Sequence, residues 1–480
     1  MEAHMTYHET ISHFKKAVIV LIFSLLFILR PVHASTASYL TYQRDYAYRA
    51  SEADSKLSCR TIALEQVKRL LLEELGTYLE SRTEVKNYQV SRDQVIAITA
   101  GIVRAEILNE KWDGQTYFIV AKITADPTQV ARVIDDLRRE RQSLSELEES
   151  KKKTEELLKE LERLREELKS SKGAQGKQEK KDYAAAVKKL GAVDWYKEGY
   201  ALMESKQYGE AIGFFNKAID ADPNYANAYS VRGFAHYRIK DYQQSLKDVN
   251  RALELKSGHP GALVNRALTL AIMKEYDKAL ADVNRAIVVK PDYARAYNIR
   301  GYIYLNLRNN LKALDDCNKA IELNPNLSSA YMHRGIAKRN MRKFEDAFRD
   351  FQRAIEIDPE DPHPYHARGW TYLRLKKYDE AIQDLNRAVE LDPTFVAAWY
   401  RRGLSHYHLK DYPMAVRDFS KVVELEKDHA DAYYQRSLSY KKMGKTEESA
   451  RDLKQAAQMG HSGAQRAIKD KRLLPDDHDD

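Results

Sequence analysis

A mainly α-helical chain is the predicted fold class, with a small α+β domain and a long charged helix ahead of an array of antiparallel helix pairs. Three observations predict it. From Ala192 to Gly463 the sequence repeats with a period of 34 residues, eight times and without an insertion. Among residues 35–130, alternation on both sides of Asp113-Gly114 marks one β-hairpin. Between them, from Ala131 to Asp182, more than half of the residues are charged, and leucines recur at helical spacing. At 480 residues the chain exceeds one ordinary core, so several domains are expected.

The N-terminus reads FKKAVIVLIFSLLFILRPVHAS. Lys15 and Lys16 precede an apolar run of 13 residues, Ala17 to Leu29, broken only by Ser24. A V-H-A sequence ends at Ala34. These are the three regions of a secretory signal peptide, so residues 1–34 are expected to be removed and the protein exported, into the periplasm if the cell is bacterial. The alternative is an uncleaved anchor that holds the protein at the inner membrane with the repeats outside the cytoplasm, although the run is short for a bilayer span. No cysteine near the cleavage point offers a lipid anchor. The two cysteines, Cys59 and Cys317, are expected in different domains, buried and inert.

Residues 35–130 are expected to fold as α-α-β-β-α. Ser51 N-caps a helix to Leu79, Ser91 with Gln94 forms a capping box for a shorter one, and Asp126-Pro127 opens a third after the hairpin. The segment resembles the compact α/β domains at the front of some bacterial envelope and flagellar-assembly proteins. In residues 131–170, Leu144, Leu147, Leu158, Leu161 and Leu168 keep a seven-residue frame that Lys151, Thr154 and Arg165 interrupt, with Leu157 and Leu164 widening the stripe. Such a helix either pairs with a second copy as a coiled coil, giving a homodimer, or stands as a solvated helix laced with ion pairs. Residues 171–191, opening with SSKGAQGKQEKK, read as a flexible linker and lead-in.

Within each repeat, small residues take the eighth place (Gly199, Gly233, Ala267, Gly301, Gly335, Gly369, Gly403, Ser437) and the twentieth (Ala211, Ser245, Ala279, Ala313, Ala347, Ala381, Ala415, Ser449). An aromatic ring at the seventeenth wedges between two helices, and proline closes most units. Trp195, Gly199, Tyr208, Ala211, Ala218 and Pro223 make the first unit resemble the tetratricopeptide repeat. That resemblance implies a right-handed superhelical solenoid whose concave groove is lined by the first helix of each pair. Departures fall at Ser257, Lys427 and His461, where proline is usual, and at Asn310 and Thr446 in the wedge; they predict looser ends and one softer joint. Residues 464–473 supply a capping helix and 474–480 an acidic tail.

Arginine recurs at the seventh place (Arg232, Arg266, Arg300, Arg334, Arg368, Arg402, Arg436) and aspartate at the twenty-third (Asp248, Asp282, Asp316, Asp350, Asp384, Asp418, Asp452). A pair recurring seven times is structural. We expect each aspartate to meet the arginine of the next unit, as Asp384 with Arg402.

The family groove uses places 2, 5, 6, 9, 12 and 13. Here these include Tyr196, Tyr200, Phe234, Tyr237, Arg238, Asn265, Arg295, Asn298, Tyr302, His333, Arg339, His366, Trp370, Arg374, Tyr400, Arg401, Tyr407, His408 and Tyr434. Aromatics interleaved with arginines suit a protein or peptide partner, unless several of them merely pad neighbouring helices. The lysine–asparagine set with which family clamps hold a chain-terminal carboxylate does not occur in three consecutive units. Net charge +8, from 79 basic and 71 acidic residues, lacks the concentrated cationic face of a nucleic-acid binder. His333, His363, His366 and His408 lack the partner ligands of a metal site, and no phosphate-binding, dinucleotide, hydrolase or zinc-protease motif occurs. The expectation is a scaffold without catalysis or cofactor that assembles a cell-envelope complex. The alternative is a structural homo-oligomer built on residues 131–170 with its groove self-occupied; an enzyme activity could lie only in the front domain.

Overall fold

The structure is a computed structural model that describes residues 39–51, 54–81, 92–100, 103–127, 130–131, 141–170 and 173–469. The expected signal segment, the Ser91 cap and the acidic tail lie outside the described residues. No helix among the described residues is long and apolar enough to cross a membrane.

The front domain contains strands β1 (Leu40–Arg49), β2 (Ala105–Trp112) and β3 (Thr116–Ala125), with helices α1 (Lys56–Ser81) and α2 (Arg92–Ala100). The hairpin forms as expected. Gly114 takes φ +99°, and the Asp113 carboxylate accepts the amides of Gln115 and Thr116 at 2.9 and 2.6 Å. β1 was not expected. It pairs antiparallel with β3 along its whole length, Leu40 opposite Ala125 and Arg49 opposite Thr116, so the sheet order is β1-β3-β2. Tyr117, Ile119, Ala121, Ile123 and Ala125 on β3 are buried with Ile62, Val67, Leu71 and Leu75 of α1. α1 starts five residues later than Ser51. Ser55 is its cap: its Oγ accepts the Ser58 amide at 3.1 Å, and Ser58 Oγ accepts the Ser55 amide at 2.8 Å.

The charged segment forms helix α3 (Arg141–Ser170), followed by α4 (Gly173–Glu204). Two expectations fail here. Leu147, Leu157, Leu158, Leu161 and Leu164 are buried inside the chain, in one cluster with the front domain and α4, so this leucine stripe is not left open for a second copy. Residues 173–191 are not a flexible linker but the first half of α4, where Tyr183, Ala186, Val187 and Leu190 are buried. Tyr183 Oη donates to Asp54 at 2.5 Å and lies 3.4 Å from Tyr48 Oη, tying α4 to the front domain. The core of the front domain therefore continues through α3 and α4 into Phe215, Tyr225 and Val231 of the first two repeats.

The repeats form as eight antiparallel helix pairs, α4 supplying the first helix of unit 1, and Ser462–Lys469 covers the last. Small residues at the eighth place let the paired helices touch: a Cβ added at Gly335 would lie 2.6 Å from Phe351, and one at Gly369 would lie 2.9 Å from Leu385. Successive first helices pack directly on one another while successive second helices lie apart, so the array curves with the first helices inside. The end is tighter than expected. His461 accepts the Ala464 amide at Nδ1, 3.0 Å, and stacks on Tyr434 at 4.2 Å.

Candidate functional site

Each repeat's arginine and aspartate meet within their own unit, which corrects the expected pairing. Arg402 binds Asp418, and Asp384 belongs to Arg368; all seven forks are two-pronged, at 2.6 to 3.0 Å. The link between units is a third bond. The same guanidinium donates through Nη1 to place 25 of the preceding unit: Asn216, Asn250, Asn284, Asn318, Gln352, Asn386 and Ser420, at 2.6 to 3.1 Å. An arginine is needed because one planar group must serve two helices at once.

Unit 1 replaces the pair with Glu198 and Phe214, and both turn to the front domain. Glu198 receives Arg104 at 3.3 Å and Lys68 at 3.5 Å, and Arg104 lies over the Phe214 ring at 5.6 Å. Lys68 also bonds Asp194, and Lys197 reaches Glu65 at 3.7 Å and Thr154 of α3 at 3.1 Å. Burial pushes the Glu65 carboxyl up to about 7 against the pull of Lys197. Opposed by its own burial, the Lys68 ammonium is still held above the ordinary lysine range by Asp194 and Glu65.

The nineteen expected groove residues separate into four groups. Tyr196 and Tyr200 are buried beside α3, with Tyr196 packed on Phe215 and Tyr225, so the groove face of unit 1 is closed. Five others lie in the seam between neighbouring first helices: Asn265 donates to Ser230 O at 3.1 Å, Asn298 meets His333 at 2.8 Å, and Arg401 donates to His366 at 2.9 Å. These are places 5 and 6 of consecutive units. Burial, with adjacent positive groups, pushes His333 down to about 4 and His366 down to about 3, so both stay neutral near pH 7.

A third group gathers in units 2 to 4. Phe234 stacks on Tyr237 with centroids 6.0 Å apart, Arg295 lies over Phe234 at 4.4 Å, Arg238 over Tyr208 at 4.5 Å, and Tyr302 against His333 at 5.3 Å. The fourth is in units 5 to 8. Arg339 and Arg401 both lie over the Trp370 ring, at 3.9 and 3.8 Å, with Arg374 one helical turn further along. Tyr407 meets Tyr412, His408 stacks on Tyr378, Tyr400 packs on Phe419 and His429, and Tyr434 takes His461. Among the described residues no cluster of three or more histidine, cysteine or acidic groups is placed to hold a metal ion. Cys59 and Cys317 are free and buried.

Sequence reasoning missed the place-25 partners and the Glu65–Lys68–Asp194–Lys197–Glu198 cluster. Asparagine recurring at place 25 was a usable signal for the first. For the second, the only signal was the break in the arginine–aspartate pattern at unit 1.

Profiles of the tetratricopeptide repeat match residues 294–327, 328–361, 351–383, 396–429 and 430–459, and a further TPR repeat profile matches 199–240 and 371–410. No curated protein sequence matches the chain. Among solved structures, the APC/C hetero-tetramer Cut9–Hcn1 aligns at 14% identity and TM-score 0.51, covering 62% of this chain and 59% of that one. A tetratricopeptide repeat protein from Parabacteroides merdae aligns at 21% identity and TM-score 0.41, covering 52% and 98%. TTC0263, from Thermus thermophilus, aligns at 21% and 0.36, covering 38% and 99%. With eight helix pairs in register and repeat profiles matching residues 199–240 and 294–459, this chain carries an array of tetratricopeptide repeats.

Proposed function

We propose that this protein is a non-catalytic, exported scaffold that binds an extended segment of a partner protein along the inner face of its repeats, in assembly of a cell-envelope complex. The observation that carries this reading is the aromatic and guanidinium surface on the first helices of units 2 to 8. Phe234, Tyr237, Tyr302, Trp370 and Tyr407 are only partly covered by the chain itself. Rigid rings with one polar edge give large contact area at small entropic cost, as protein recognition requires. The export component rests on the sequence of residues 1–34.

A photo-crosslinker placed at Tyr237 in full-length protein tests the reading in the cell. Specific partner peptides should be captured, and Phe234→Ala with Trp370→Ala should reduce capture about tenfold or more, as expected when two aromatic anchors are lost. Unchanged capture by the folded double variant would remove the groove from the mechanism.

A further inference from the structure

Arg339 is the most deeply buried guanidinium of the groove, at 2% exposure. Its Nη2 reaches Asn340 at 3.2 Å, while its Nε and Nη1 are buried without an acceptor. The Arg401 guanidinium, over the same tryptophan ring at 3.8 Å, makes its Nε bond to a neutral histidine. Among the described residues, none of Arg339, Arg374 and Arg401 has a carboxylate within 4.0 Å, whereas every arginine at the seventh place has one. Burial and their mutual repulsion press Arg339 down to about 10, and burial presses Arg401 to about 10.

Burying a cation without a counter-charge is unfavourable, and a ring face offsets only part of that cost. The repeats elsewhere solve the same problem with aspartate. Here the cost is retained at two groove arginines, Arg339 and Arg401, with the exposed Arg374 adding its charge beside them, which makes sense when the missing anion arrives with a ligand. We propose that Arg339, Trp370 and Arg401, with Arg374 at the rim, form a carboxylate-binding subsite that takes aspartate or glutamate side chains of an acidic protein segment. The proposal rests on the groove reading above. A carboxylate has two acceptor oxygens for the unused guanidinium hydrogens, and the tryptophan edge supplies an apolar wall for its methylenes. A protein acid is favoured over a nucleic-acid backbone because the cations form one nest. A phosphate chain needs a continuous track of them.

The test uses full-length protein and a fluorescently labelled synthetic peptide of alternating aspartate and glutamate, measured by anisotropy. Its asparagine–glutamine counterpart and a single-stranded homopolymer DNA serve as competitors. The acidic peptide should bind, and the amide peptide should compete at least about tenfold more weakly. Arg374→Gln, on an exposed side chain that leaves the fold intact, and Arg401→Gln should each weaken binding about fivefold or more, while Arg349→Gln on a second helix should not. Equal competition by the amide peptide, indifference to Arg374→Gln and Arg401→Gln, displacement by DNA below the peptide's own concentration, or no binding at all would each overturn the subsite. Loss of cellular crosslinks on Phe234→Ala with Trp370→Ala would then leave the groove reading standing without it.

Discussion

At the residue scale, the fork between Arg402 and Asp418 is the most enclosed of the seven, with the aspartate side chain fully buried. Removing the acid leaves a guanidinium with two hydrogens unmet in a low-dielectric seam, which costs about 3 kcal/mol or more. Asp418→Ala should therefore lower the stability of units 6 to 8 by about that amount, read as faster amide hydrogen exchange there, with the first units unchanged because repeats couple to their neighbours. The residue types at places 7 and 23 were legible in the sequence, but the partner was not. A linear pattern says that arginine and aspartate recur together; only helix geometry decides that they close within one unit and that asparagine bridges to the next. The same limit applied to the groove. Asn298, His333 and His366 sit at groove places in the pattern, yet each turns a polar atom to a neighbouring helix, and Arg401 gives its Nε to one.

At the scale of the element, every first helix ends the same way. The residue at place 15 takes positive φ, and the next amide reaches back five residues, as Lys377 does to Tyr372 O at 3.0 Å. Seven units put lysine or arginine there, Lys376 at φ 61° among them, and only the eighth uses glycine, Gly444 at φ 73°. A side chain in that region carries strain of about 1 kcal/mol. Lys376→Gly should raise the thermal midpoint slightly, Lys376→Val should lower it, and Gly444→Ala should lower it by about 1 kcal/mol equivalent. The eight helix pairs were legible because the signal repeats; a one-off element has no such averaging. β1 was missed although Leu40, Tyr42, Tyr46 and Tyr48 alternate, and the start of α4 was read as a hinge because Gly173, Gly176 and a lysine run mask Tyr183, Val187 and Leu190.

On the scale of the whole molecule, the front domain and the solenoid share one core and one buried charge cluster. Glu65 is neutral-preferring in the fold, with its carboxyl raised to about 7 from an ordinary 4.5. A folded value above the unfolded one means that its stabilisation is complete below about pH 4.5 and is lost as pH rises through about 7. The unfolding free energy of the front domain, read from denaturant titrations, should fall over that window by on the order of 3 kcal/mol, and Glu65→Gln should flatten the profile. A protein whose midpoint is flat in pH both with and without Glu65 would contradict this assignment. The 32-residue helix α4, about 48 Å long, meets Tyr48 of the front domain at Tyr183 and ends as a wall of unit 1. It therefore works as a shaft. A rotation of the front domain carries the first repeats with it. On the proposed reading, fixing the front domain in place would also fix the side from which an acidic segment meets the guanidiniums at Trp370.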